Sequence, residues 1–194
     1  MAVMKLIVGI SGASGSIYGI RLLKVLKDIK DVETHLVISN AAEKVIGGET
    51  TTKSIEEVKS LATYCHDIQD MEAPIASGSF KTDGMAIIPC SMKTLAGLAL
   101  SFSSNLLLRA ADVTIKEKRP LVIVPREMPF HSTHLEHMLK LSQMGVTIMV
   151  PAPPFYHQPK TIDDLINPTV DKTLAVFGLD CNLYQHWQGT KPGK

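Results

Sequence analysis

Four short segments gather side chains suited to holding an anion or moving a proton. The first, Gly9-Ile10-Ser11-Gly12-Ala13-Ser14-Gly15-Ser16, alternates glycines with hydroxyls. Glycines let backbone N–H groups approach a phosphate closely, and a helix opening there adds its positive end. A tight strand-to-helix turn is the plainer alternative, but phosphate binding is favoured. The spacing is neither G-x-G-x-x-G nor G-x-x-x-x-G-K-[ST], which removes a Walker loop. The second segment, Pro89-Cys90-Ser91-Met92-Lys93-Thr94, offers hydroxyl and backbone donors; Cys90 among apolar neighbours reads as a buried structural thiol rather than a nucleophile. In Val124-Pro125-Arg126-Glu127-Met128-Pro129 the guanidinium suits a phosphate and the carboxyl suits acid–base work. A solvated ion pair is the alternative there. The fourth, Pro151 to Pro159, is a stiff loop whose chemical contents are Tyr156 and His157; a rigid connector is its plainer reading. His131, His134 and His137 recur at three-residue spacing, but without a carboxylate on their stripe a metal is disfavoured.

Positioning these loops requires an alternating frame, and the hydropathy pattern supplies one. Apolar runs at Met4–Ile10, Val32–Ile38, Met85–Pro89, Leu121–Val124 and Val146–Val150 read as buried strands. Between them, helical periodicity is read from Ile17 to Leu26, over Ala41–Ile46 and Ile55–Ala62, and near Lys93–Ser101. Further helices are read at Leu106–Lys118, His131–Met144 and Thr161–Phe177, the last with Pro168 either kinking it or close to its start. The alternation predicts an α/β chain, a doubly wound parallel sheet with helices on both faces. Ligands of such sheets bind beyond the carboxyl ends of the strands. That rule selects Ser11–Ser16, Ser39–Asn40, Pro89–Thr94, Pro125–Phe130 and Pro151–Pro159. The second strand ends in Ser39-Asn40 and not in an acid for a ribose, so a mononucleotide such as FMN suits the frame better than a dinucleotide.

Composition narrows the class. The 194 residues are 45% hydrophobic and 20% charged, which excludes a disordered chain and sets the expectation of a single domain over 1–178 with an arm or loosely ordered tail over 179–194. A net charge of +1 and 5% aromatics give no footprint for nucleic acid or an anionic membrane surface. Apolar runs near five residues are too short to span a bilayer. Three widely spaced cysteines and an N-terminus broken early by Ser11–Gly15 lead to the expectation of reduced thiols and a cytoplasmic protein.

These blocks together resemble the UbiX-like flavin prenyltransferases, formerly described as aromatic-acid decarboxylases or their small subunits. The resemblance runs from about Met4 to Trp187. It rests on Gly9–Gly15, Glu49-Thr50, Ala76-Ser77-Gly78-Ser79-Phe80, Pro89–Leu95, Arg109–Val113, Lys116-Glu117, Val124–Glu127, His134-Leu135-Glu136 and Phe155-Tyr156-His157. It implies a flavodoxin-like fold in a homo-oligomer, a dodecamer. FMN is expected at Gly12, Ala13, Ser14, Ser39, Ser91, Met92, Lys93, Thr94 and Arg126. Dimethylallyl phosphate is expected between subunits at Lys116, Arg126, Tyr156 and Lys172, with Ser14, Glu49, Lys116 and Glu127 as catalytic residues and no metal. The implied reaction joins the prenyl group to N5 and C6 of reduced FMN and releases phosphate; UbiD-type decarboxylases then use the prenylated FMN. Two positions depart from some members of the family: Met71 stands for a tryptophan facing the prenyl group, and Lys172 for an arginine holding its phosphate. Rival readings are an FMN-binding small subunit of a decarboxylase and a flavin-dependent cysteine decarboxylase. The latter carry Pro-Ala-Ser-Ala-Asn-Thr where this chain has Pro89–Thr94.

Overall fold

A computed structural model describes residues 3–51 and 54–189. The part of the tail at 190–194 lies outside the described residues. Strands β1 (Met4–Ile10), β2 (Val32–Ile38), β3 (Tyr64–His66), β4 (Gly84–Cys90), β5 (Leu121–Pro125) and β6 (Thr147–Ile148) alternate with helices α1 (Ser16–Asp28), α2 (Asn40–Glu49), α3 (Ile55–Lys59), α4 (Met92–Ala99), α5 (Leu106–Lys116), α6 (Ser132–Gln143) and α7 (Ile162–Val176). A short 3-10 turn covers Pro74–Ala76.

Among the described residues all strand pairs are parallel, in the order β3-β2-β1-β4-β5-β6. Without the three-residue edge strand β3 this is the flavodoxin order; with it, the order is that of the Rossmann sheet. The doubly wound expectation is met in either description. β4 is buried along its whole length, as a central strand covered on both faces must be. One core, with Ile20, Leu23, Ile46, Val170 and Leu174, lies under α1, α2 and α7. The other, with Leu95, Leu107, Ala110 and Leu141, lies under α4, α5 and α6.

Two sequence expectations shift. β3 was not anticipated: it is short, and its Tyr64 and Cys65 are exposed, so it shows no apolar period. The strand expected over Val146–Val150 contracts to Thr147–Ile148, although the N–H of Met149 still donates to Ile123 O at 2.9 Å. Pro168 is an interior residue of α7. Lacking an N–H, it leaves the carbonyl of Asp164, four residues back, without its helical donor. His157 Nε2 takes that place at 3.1 Å, which ties the proline-rich loop before α7 to the helix itself. Residues 179–187 fold back on α7: Leu179, Cys181 and Leu183 pack against the core, and Leu183 N donates to Asp171 Oδ1 at 3.0 Å.

Candidate active site

The chain reverses its winding between β1 and β4, and the crevice beyond their carboxyl ends is where such a sheet opens for a ligand. Three of the four loops picked from the sequence start there and are stitched into one rim. Ser39 N donates to Ile10 O (3.0 Å), Ser11 N to Pro89 O (3.2 Å) and Arg126 N to Cys90 O (3.1 Å).

Ser11 proves to be a clamp and not a ligand donor. It is buried, its hydroxyl donates to Pro89 O at 3.0 Å, and it accepts from Ser91 N at 2.7 Å. Both capacities are committed to holding β1 against β4. Gly12 also has a packing cause, because a Cβ there would lie 2.4 Å from that of Ala41 on α2. Gly15 caps α1 at φ 95°, a conformation that favours glycine.

Glu49 and Ser14, separated by 35 positions, meet at the start of α1. Glu49 Oε2 accepts from Gly15 N at 2.8 Å and from Ser16 Oγ at 3.4 Å, and the Ser14 hydroxyl donates to the same carboxylate. Partial burial acts to raise its pKa, but these hydrogen bonds outweigh burial and hold the carboxyl below its ordinary value. The anion place at the α1 N-terminus is thus filled by a carboxylate from another helix, and α1 has no acid of its own in its first turn.

The N-terminus of α4 is different. Ser91 caps it, accepting from Thr94 N at 3.3 Å and donating to Thr94 Oγ1 at 3.1 Å. Its first turn holds no acid and includes Lys93. Arg126 stands alongside at the end of β5 and faces Tyr18 on α1: burial pushes the Tyr18 phenol up, and the guanidinium opposes that rise. Backbone donors, a lysine and an arginine fork without a competing carboxylate match a phosphate monoester such as that of FMN. Glu127, next along, is exposed and accepts from Met128 N at 3.0 Å. Cys90 is fully buried, and burial pushes its thiol far up, which leaves it inert as a nucleophile.

Tyr156 and Lys172 come together in a mostly apolar cavity of about 440 Å³ with Met149, Val150, Pro154 and Tyr184. Lys116 does not join Arg126 within one chain. It ends α5 beyond the opposite, amino-terminal ends of the strands, the full length of β5 away, roughly 15 Å. There it pairs with Glu117 and lines a cavity of about 600 Å³ with Ser77, Ser79 and Arg109. Arg109 and Arg119 fix that segment by donating to Ala76 O (3.0 Å) and Gly78 O (2.8 Å). The rings of His131 and His134 lie against each other at a tilt of 31°, with centroids 3.5 Å apart. No group of three or more His, Cys, Asp or Glu among the described residues is placed to hold a metal.

Sequence reasoning missed Tyr18, Tyr184 and Asp171 as neighbours of these residues. The signal for Tyr184 was present in the aromatic content of the tail, where Tyr184, His186 and Trp187 cluster within four residues; nothing local marks Asp171.

Comparison with known proteins adds three findings. A family model described as Flavoprotein matches residues 1–174. Flavin prenyltransferase UbiX of Escherichia coli strain K12 is 52% identical over 187 residues, covering 95% of this chain and 98% of that protein. Two crystal structures superpose with TM-scores of 0.94. One is a dodecameric FMN-dependent UbiX-like decarboxylase from Escherichia coli O157:H7, 50% identical, covering 96% of this chain and 100% of that one. The other is AnUbiX (PadA1) in complex with FMN and dimethylallyl pyrophosphate, 43% identical, covering 97% of this chain and 99% of that one.

Proposed function

The chain belongs to the Flavoprotein family and, within it, to the UbiX-like flavin prenyltransferases, and on that premise we propose that it transfers a dimethylallyl group from dimethylallyl phosphate to reduced FMN. FMN is here the acceptor substrate, supplying N5 and C6 as nucleophilic atoms. The allylic C–O bond breaks, the phosphate leaves, and a C–N bond forms at N5 with loss of the N5 proton; the prenyl double bond then takes up a proton, and its tertiary carbon bonds to C6, whose own proton is lost.

The observation that carries this reading is the cavity at Tyr156 and Lys172, which joins an apolar wall to a cation and a phenol in a chain about half identical to a flavin prenyltransferase over nearly its whole length. A prenyl phosphate has that same split character. The FMN phosphate is assigned to the α4 N-terminus, with Ser91, Met92, Lys93, Thr94 and Arg126 as donors, and the Gly12–Ser14 loop and Ser39 along its flank. Lys172 and Tyr156 hold the prenyl phosphate, and Arg126 supports its departure as an anion. Glu127 is the candidate acceptor of the C6 proton. Ser14 and Glu49 hold the start of α1 beside the flavin. Lysine at 172 keeps the charge without an arginine's fork, and Met71 offers a polarisable wall without a π face.

Lys116 completes this constellation only if it comes from a second copy. The exposed side chains of Leu100 and Phe102 after α4, and of Leu135 and Leu139 on α6, support a homo-oligomer, with a dodecamer as its expected form. The three cysteines are free, which agrees with a cytoplasmic setting, and no helix among the described residues is long and apolar enough to cross a membrane. A UbiD-type decarboxylase is the proposed acceptor of the product.

The test is a mass spectrum of flavin released after anaerobic incubation with reduced FMN and dimethylallyl phosphate. FMN heavier by one five-carbon prenyl unit is expected. Unmodified FMN, bound one per subunit, would refute the transferase.

A further inference from the structure

His35 is a buried histidine that the reaction above leaves unused; it lies within β2 and is 4% exposed. Its Nε2 pairs with Glu33 Oε1 at 2.8 Å, and its Nδ1 meets His66 Nε2 at 2.9 Å. The His35 and His66 rings are nearly parallel, 9° apart, with centroids separated by 5.2 Å. The ring of Phe80 stands edgewise on His35, also at 5.2 Å. His66 ends β3, so one imidazole touches both ends of the segment 67–79 that runs from β3 to Phe80. That segment carries Met71, and its Ser77 and Ser79 line the cavity that holds Lys116 and Arg109. Arg109 and Arg119 hold its later half through Ala76 O and Gly78 O, and His35 ties its two ends to β2.

The hydrogen bonds limit how many protons this contact tolerates. Partial burial acts to raise the Glu33 pKa, but its bonds and opposite charges at His35 and Lys5 outweigh burial and hold the carboxyl below its ordinary value. Glu33 is therefore ionised, and His35 Nε2 carries the proton it donates. Across the His35–His66 contact one nitrogen must donate and the other must be bare. One positive charge shared by the two rings keeps that arrangement; a second sets N–H against N–H and cation against cation. Burial first, then the neighbouring His35, push the His66 pKa below its ordinary value, against the pull of Asp70. The other charged and titratable groups around the pair are Lys5 on β1, which is 3.4 Å from Glu33 Oε1 and 4.8 Å over the Phe80 ring, Tyr64 on β3, and Glu43, Lys59 and Asp67 around the cavity beside His66. We propose that His35 and His66 are positioning residues for the prenyl site: they clasp the segment 67–79 to β2, set the Ser77–Ser79 wall beside Lys116, and release it when both rings are protonated. This rests on the prenyltransferase reading above.

The experiment compares wild type, His66→Gln and His66→Phe, each as the full chain, in steady-state prenylation of reduced FMN, with hydrogen exchange of the 67–80 backbone measured alongside. Glutamine places an amide where Nε2 stood, so it still partners His35 Nδ1 but takes up no proton; phenylalanine keeps a ring and leaves Nδ1 unpaired. At about pH 7.5, His66→Phe is expected to raise KM for dimethylallyl phosphate by about 3–10-fold, as loss of one hydrogen bond does, and to speed exchange over 67–80 by a similar factor. His66→Gln is expected to match wild type within about twofold in both. In acid these two part. Because the His66 pKa is lowered, the contact is intact above the ordinary histidine value and is lost as pH falls through the lower one. From about pH 7 to about pH 5 the wild-type KM should therefore rise more steeply than that of His66→Gln. The substrate phosphate titrates in the same range, but equally for both enzymes, so the ratio of their KM values isolates the histidines. Unchanged KM and exchange in His66→Phe, or parallel acid profiles of wild type and His66→Gln, would overturn the inference while leaving the activity standing. Should His66→Phe fail to fold, the acid profiles decide. Wild-type protein that binds FMN and never prenylates it would overturn the underlying reading, and the positioning role with it; the clasp itself is then decided by the exchange data.

Discussion

Removing the charge of Glu49 should loosen the start of α1 in a pH-dependent way. Gly15 caps that helix without a side-chain acceptor, so the Glu49 carboxylate supplies both the acceptor and the negative charge. An N-cap acceptor is worth about 1 kcal/mol, and a carboxylate at a helix N-terminus about 0.3–1 kcal/mol more. Glu49 is exposed, and solvent screening puts the sum at the low end, about 1 kcal/mol for Glu49→Ala. For a chain of 194 residues that corresponds to a fall in Tm of about 2–4 °C. Glu49→Gln keeps the shape and an acceptor oxygen and should lose only the charge-dependent part. Because the folded carboxyl is held below its ordinary pKa, its stabilisation is fully present above the unfolded value and disappears as pH falls through the folded one. Thermal unfolding of the apo protein at pH 7 and again near pH 3 measures this. The wild-type advantage over Glu49→Gln should be present at pH 7, shrink with added salt, and vanish in acid. An advantage of equal size at both pH values would show that the carboxylate charge is not what caps α1.

Ser11→Ala should leave Ser91 N without its buried acceptor and cost about 1–3 kcal/mol, read as a lower urea midpoint. Gly12→Ala should force the first loop off α2, since its Cβ would lie 2.4 Å from that of Ala41; an overpacking cost of about 1–3 kcal/mol and weaker FMN binding by fluorescence titration are expected. Lys116→Met should abolish prenylation yet keep FMN affinity, because Lys116 lies at the amino-terminal ends of the strands, opposite the rim assigned to FMN; equal loss of both would contradict that separation.

The frame was legible because long apolar runs such as Met4–Ile10 and Val32–Ile38 can only be buried strands. β3 was not, since three partly exposed residues carry no period, and its pairing with β2 depends on tertiary contact. The rim loops were legible from the rule that places ligands beyond strand ends. The roles within them were less so. Ser11 reads as a phosphate donor until its two partners across the switch point are known, and nothing local shows that Glu49 ends at the head of a helix 34 positions earlier. The arm was hidden for the same reason: the partners of Asp171 lie 12 and 15 positions away, and only the fold brings them back to it.

The separation of Lys116 from Arg126 has a genetic consequence. If each prenyl site draws its lysine from one subunit and its arginine from another, a damaged subunit is not simply a dead enzyme. A Lys116→Met chain and an Arg126→Ala chain, each inactive alone, would form mixed assemblies in which some sites take the intact lysine of one chain and the intact arginine of the other. Two null alleles would then complement one another in a single cell.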